Sequence, residues 1–114
     1  MTNTYFDYLN KNEKTMNLTR GEQRLLRFYL NSKDAYGQLV INDICWESEL
    51  NDIITLLRKG EVKTFVMADN STALLTALHR FTEAGFRITG SVTLSKAEVT
   101  YWDEPMPGLL IEVR

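Results

Sequence analysis

The stretch from Thr64 to Leu94 constrains the fold most, because one helical pattern is flanked closely by two different strand patterns. Thr64–Ala68 is short and almost continuously apolar, as in a strand buried on both faces. Asp69-Asn70-Ser71 then supplies turn formers and helix N-cap candidates. Leu74, Leu75, Leu78 and Phe81 repeat at helical spacing up to Gly85, a residue suited to a left-handed cap. From Phe86 to Leu94 the pattern alternates, with Phe86, Ile88, Gly90, Val92 and Leu94 on one side and Arg87, Thr89, Ser91 and Thr93 on the other. This predicts a half-buried strand. If both strands lie in one sheet, the unit is a right-handed parallel crossover.

Upstream, Thr19 followed by Glu22 matches a capping box and predicts a helix from Arg20 to Asn31. Leu25, Leu26, Tyr29 and Leu30 share one face, Arg20, Arg24 and Arg27 the opposite one, and Phe28 falls at the border of the arginine stripe. A turn at Tyr36-Gly37 precedes Leu39-Val40-Ile41, which reads as a strand or as a packed connection. Trp46, Leu50, Ile53, Ile54 and Leu57 follow the spacing of a second core-facing helix, with Gly60 placed for its left-handed cap. Alternation slips phase after Ser95, so a bulge or tight turn is expected near Ser95-Lys96. Trp102–Gly108 reads as a loop and Leu109–Val113 as a closing strand.

The expected fold is therefore α/β in the α+β sense, in the order α-α-β-α-β-β. A small mixed sheet of three to four strands carries helices mainly on one face, because Thr89, Ser91 and Thr93 look solvated. Residues 1–18, polar with Tyr5, Phe6 and Tyr8, are expected as an arm with one helical turn, and 19–114 as a single domain. Leu109–Val113 is expected at a sheet edge, where pairing with a second copy would make a homodimer.

With 114 residues, 44% hydrophobic and 25% charged, the chain has the makings of one ordinary core. Cys45 is the only cysteine, which excludes an internal disulfide and a paired-thiolate zinc site. The start lacks the basic and apolar runs of a secretory signal, so a cytoplasmic location and no membrane partner are expected. A net charge of −2 excludes a general polyanion binder, but residues 1–36 carry six Lys/Arg against four Asp/Glu, whereas residues 37–62 carry two against five.

No assembled catalytic or metal site appears, and no cofactor is expected. His79 projects beside Arg80 and Glu83 with no nucleophile near it in sequence. Cys45, between Ile44 and Trp46, reads as a buried, unreactive thiol. The Asp69–Thr72 turn lacks the glycines that let phosphate approach, and helix capping explains it. Asp43, Glu47, Glu49 and Asp52 suit the positive end of a helix dipole and are expected to face water. The candidate partner-binding residues are Arg20, Arg24 and Arg27 with Phe28, together with Tyr5 and Tyr8 of the arm. Trp102, in its proline-stiffened loop, completes the set. Arginine with aromatics is the usual composition of a protein hot spot, and it also suits RNA through stacking and phosphate contacts.

From about Trp46 to Val113 the chain resembles a family of small uncharacterised domains from plasmids and phages of Gram-positive bacteria. The likeness rests on Gly60, Phe65-Val66-Met67-Ala68-Asp69-Asn70-Ser71, Leu78, Phe81, Gly85, Gly90, Trp102 and Leu109-Leu110-Ile111. These are structural positions, so no functional residue is carried over. The resemblance implies a non-enzymatic inhibitor of a host defence nuclease, an anti-CRISPR protein. It would act on an RNA-guided nuclease of the Cas9 type or on its assembly with guide RNA. The alternative is a small nucleic-acid-binding regulator, and an enzyme using His79 ranks last.

Overall fold

The computed structural model describes residues 2–69, 71–95 and 105–114, and within them the chain alternates helices with the strands of a single sheet. It runs α1 (Thr4–Lys11), α2 (Arg20–Tyr36), β1 (Val40–Ile41), α3 (Glu47–Lys59), β2 (Thr64–Met67), α4 (Ala73–Glu83), β3 (Arg87–Leu94) and β4 (Met106–Glu112). The expected α+β class is observed, with α1 and β1 added to the expected order. Side chains from all four helices join Ile41, Phe65, Met67 and Ile111 in one apolar core, which places the helices on one face of the sheet.

The strand order is β1-β2-β4-β3. β1 runs parallel to β2, and β4 is antiparallel to both β2 and β3. β2 and β3 are therefore parallel, as a crossover requires, but β4 lies between them. This corrects the expectation that the closing strand is an edge: Leu109-Leu110-Ile111 pairs with β2 on one side and β3 on the other. It is apolar on successive residues because Ile111 packs in the helix-side core and Leu110 against the apolar cluster on the opposite face. The strand also begins earlier than expected, at Met106. Pro107 is tolerated there because the β2 ladder stops at Leu109, so its missing N–H deprives no β2 partner. Trp102–Glu104, and Lys96 of the expected bulge, lie outside the described residues.

β3 departs most from its sequence pattern. Ile88 pairs with Ile111 and Gly90 with Leu110, so Thr89 is the extra residue of a β-bulge. The bulge inverts the alternation: Ile88 shares the helix side with Ile111, whereas Gly90, Val92 and Leu94 turn to the other face with Leu110, Gly108 and Met106. There Val40, Val66, Ala68, Leu94 and Met106 form a second, smaller apolar cluster. Ile88 is left 52% exposed, so β3 is not the half-buried strand expected.

The helices follow their patterns more closely. The Thr19–Glu22 capping box forms in both directions, with Glu22 N–H donating to Thr19 Oγ1 at 3.2 Å and Thr19 N–H to Glu22 Oε1 at 3.0 Å. α2 continues past Asn31 to Tyr36 because Ser32 is buried and tied down: its Oγ donates to the Phe28 carbonyl and accepts from Val40 N–H. α4 ends in a Schellman motif, with Phe86 N–H on the Phe81 carbonyl, Gly85 N–H on that of Thr82, and Gly85 at φ 93. Arg58 seals the same end, donating from Nη2 to the Ala84 carbonyl at 2.6 Å. On α4, Ala77 and Phe81 are buried, while Leu75 is turned off the stripe and 75% exposed.

The N-terminal segment carries α1 docked against the body. Phe6 and Leu9 enter the core, and the Phe6 ring meets Tyr29 edge-on at 5.1 Å. Tyr29 Oη accepts from Asn3 N–H and donates to Asp7, while Asn3 Nδ2 donates to the Gly60 carbonyl. Gly60 is not the expected left-handed cap: its φ is −78, and the positive φ falls on Glu61. Glycine stands there because a Cβ would come within 2.6 Å of the Phe6 ring.

Candidate partner-binding cleft

The arginine face of α2 opens into a cleft of about 560 Å³ lined by Arg20, Gln23, Arg24, Arg27, Phe28, Asn31, Asn42 and Asp43. Two elements build it. The capping box fixes where α2 begins, and burial of Leu25, Leu26 and Tyr29 in the core turns its Arg20-Arg24-Arg27 row to the other side. The segment after β1 brings Asn42 and Asp43 alongside.

The three arginines are not equivalent. Arg24 is only 24% exposed and turned inward, donating from Nη2 to the Ile44 carbonyl, with Nε 3.5 Å from Glu49 Oε1 and Nη2 3.9 Å from Asp43 Oδ2. Its guanidinium also lies 5.3 Å from the centre of the Phe28 ring, which it covers. Arg20 is 75% exposed, but its Nε lies 3.1 Å from Glu49 Oε2. Arg27 is exposed, and no described residue pairs with it.

Glu49 is the residue that sequence reasoning placed wrongly. It was expected to face water, yet its side chain is 1% exposed. As the third residue of α3 it accepts from Trp46 N–H at 3.2 Å, and this turns its carboxylate under the arginines of α2. Glu49 Oε2 and Arg24 Nε are buried without a well-aligned hydrogen bond, so charge alone holds those atoms. Part of the stripe's positive charge is thus spent inside the molecule.

Phe28 is buried, resolving its border position: Arg24 is the segment that covers it. Tyr5 and Tyr8 are exposed but do not join the cleft. They line a separate shallow depression with Lys59, Gly60 and Glu61, at the opposite end of α3 from Glu49. At 1.5 Å per residue, the two ends of that 13-residue helix are about 20 Å apart. Trp102 lies outside the described residues. Sequence reasoning also missed Trp46, which was assigned to the core face of its helix. It caps α3 from outside the helical register and is 51% exposed, one hydrogen bond from Glu49.

The remaining candidates are accounted for locally. Cys45 is buried, and that burial pushes its thiol up to about 12, against a smaller lowering by Arg24. His79 is exposed, with Nε2 3.4 Å from Glu83. Asp69 accepts from both the N–H and the hydroxyl of Ser71, closing a turn on itself. Among the described residues no group of His, Cys, Asp and Glu is placed to hold a metal, and no helix is long and apolar enough to cross a membrane.

These features define a small α+β domain with an arginine-lined cleft that is partly neutralised from within. A family model for a domain of unknown function, DUF7698, matches residues 24–113, and the chain belongs to that family. The matched span takes in Arg24, Arg27 and Phe28 as well as the region from Trp46 onward, and leaves out Tyr5, Tyr8 and Arg20. No curated protein and no solved structure matches the chain.

Proposed function

We propose that this protein is a non-enzymatic binding protein that captures an acidic group of a larger protein partner in the α2 cleft. The single observation that carries this reading is Arg27, an exposed guanidinium with no described partner, on the rim of a cleft that has Phe28 in its lining. A free arginine grips a carboxylate or phosphate bidentately, and arginine and tryptophan are both enriched in binding hot spots. Trp46, half exposed, is tied to the cleft's buried carboxylate through its backbone N–H on Glu49 Oε1.

Within that class, the resemblance to small plasmid and phage domains directs the partner to a host defence nuclease guided by RNA. The mode of action is then stoichiometric inhibition of the nuclease or of its assembly with guide RNA. A protein surface is favoured over bare nucleic acid because Glu49 and Asp43 already offset two of the three arginines, leaving little net charge to attract a phosphate chain.

A second reading, a small nucleic-acid-binding regulator, draws on the basic balance of residues 1–36. Salt separates the two. Calorimetric titration of the protein into guide-loaded nuclease, and separately into the free guide, is the test. Tight binding to the loaded nuclease with weak salt dependence supports inhibition. Binding to the free guide that collapses as salt rises, because each phosphate contact releases a counterion, supports the regulator. Binding to neither removes both.

A further inference from the structure

We infer that β3 is a dimerisation edge, pairing antiparallel with β3 of a second copy of this chain. This stands apart from the cleft on α2 and does not rest on its proposed role. β3 is the last strand of the order β1-β2-β4-β3 and runs for eight residues, and no described strand lies on its outer side. The opposite edge, β1, has two residues and is too short to template a ladder.

Long edges are normally blunted by lysine, proline, short length or a bulge. From Ile88 to Ser95 this strand carries no charge and no proline. Its bulge sits at one end, at Thr89, and leaves Gly90–Leu94 in unbroken register with β4.

The self-complementarity of that stretch selects a second copy as the occupant. With a two-fold axis through Val92, Gly90 falls opposite Leu94, Ser91 opposite Thr93, and Val92 opposite its own copy. Gly90, Val92 and Leu94 share the face of the Val66, Leu94 and Met106 cluster, so the pairing continues an apolar surface across the axis. Ser91 and Thr93 share the helix side, where hydroxyl pairs across an antiparallel ladder are favourable. No charge of the stretch would select a charged foreign strand. Arg87 stays outside the five-residue ladder.

Light scattering of the full chain over a concentration series tests the inference, with two double variants at the exposed positions Ser91 and Thr93. Changing both to lysine sets like charges opposite each other twice, and Ser91→Glu with Thr93→Lys sets opposite charges there instead. The expected result is a wild-type mass approaching twice the 13.2 kDa of one chain. The lysine pair should weaken the dimer about tenfold or more, and the glutamate–lysine pair should restore it. A wild-type mass of 13.2 kDa at every concentration overturns the inference. So does equal weakening by both double variants, or none by either, with unchanged circular dichroism showing that all three chains fold.

Discussion

Glu49 lies beneath Arg24 with its Oε1 3.5 Å from the guanidinium Nε, while Arg20 closes on the other carboxylate oxygen at 3.1 Å from the solvent side. A buried carboxylate contributes only while its cations stay in place, and losing one partner strands the other. Glu49→Ala is therefore expected to lower stability by about 3 kcal/mol, since it leaves Arg24 buried with its Nε uncompensated. Arg20→Ala is expected to cost less than about 1 kcal/mol, because that side chain is mostly solvated. Urea denaturation of the two variants checks the order, and equal losses would show that Glu49 is not the keystone of the cleft.

The Phe6–Gly60 contact gives a sharper test of how α1 is held. A methyl group at Gly60 would press on the ring at 2.6 Å, so Gly60→Ala is expected to cost about 1–3 kcal/mol. In the Phe6→Leu background the same change should cost clearly less, because the ring it collides with is gone. Additive losses in a double-mutant cycle would place the strain elsewhere. Tyr29→Phe, which removes the hydroxyl shared by Asn3 and Asp7, should cost about 1 kcal/mol in the same assay.

Alkaline pH should weaken the fold through Cys45. Burial holds its thiol at about 12 against 9.0 for a free one, so between those values the unfolded chain has shed a proton that the folded chain keeps. Stability falls as pH rises wherever the unfolded state binds fewer protons, so the loss begins near pH 9 and deepens toward about 12. Tyr29, raised chiefly by its own burial, adds to the loss with the same sign above 10.0. Denaturation midpoints above and below pH 9 should show a shallower decline for Cys45→Ala than for the wild type. An unchanged decline would mean that Cys45 ionises as freely in the fold as out of it.

The helices were legible because their evidence is local. The Thr19–Glu22 box, the Leu25-Leu26-Tyr29 face of α2, the Leu50-Ile53-Ile54-Leu57 face of α3 and the Gly85 stop all lie within a few residues of what they determine. What was missed depends on distant partners. β4 lies inside the sheet because Leu109-Leu110-Ile111 pairs with β2 on one side and β3 on the other, and no single strand's composition states its neighbours. Thr89 fits an alternating pattern perfectly well as a polar residue, so its bulge was invisible. Part of the cleft was readable, namely the arginine row. Its internal counter-charge was not, because Glu49 looks like any acidic residue in a first helical turn until α2 is folded against it.

Arg27→Glu is expected to leave stability within about 0.5 kcal/mol of the wild type, since its side chain is exposed and unpaired among the described residues. That makes it the cleanest probe of the proposed role, in contrast to Arg24, whose loss disturbs the fold. The decisive measurement is DNA cleavage by a purified, guide-loaded RNA-guided nuclease, with wild-type protein or Arg27→Glu titrated in. The expected result is inhibition complete near one equivalent of wild type, and at least tenfold more Arg27→Glu needed for the same effect, the loss of a free arginine hot spot. Full cleavage at a large excess of wild-type protein would contradict the account, and so would equal inhibition by the two proteins.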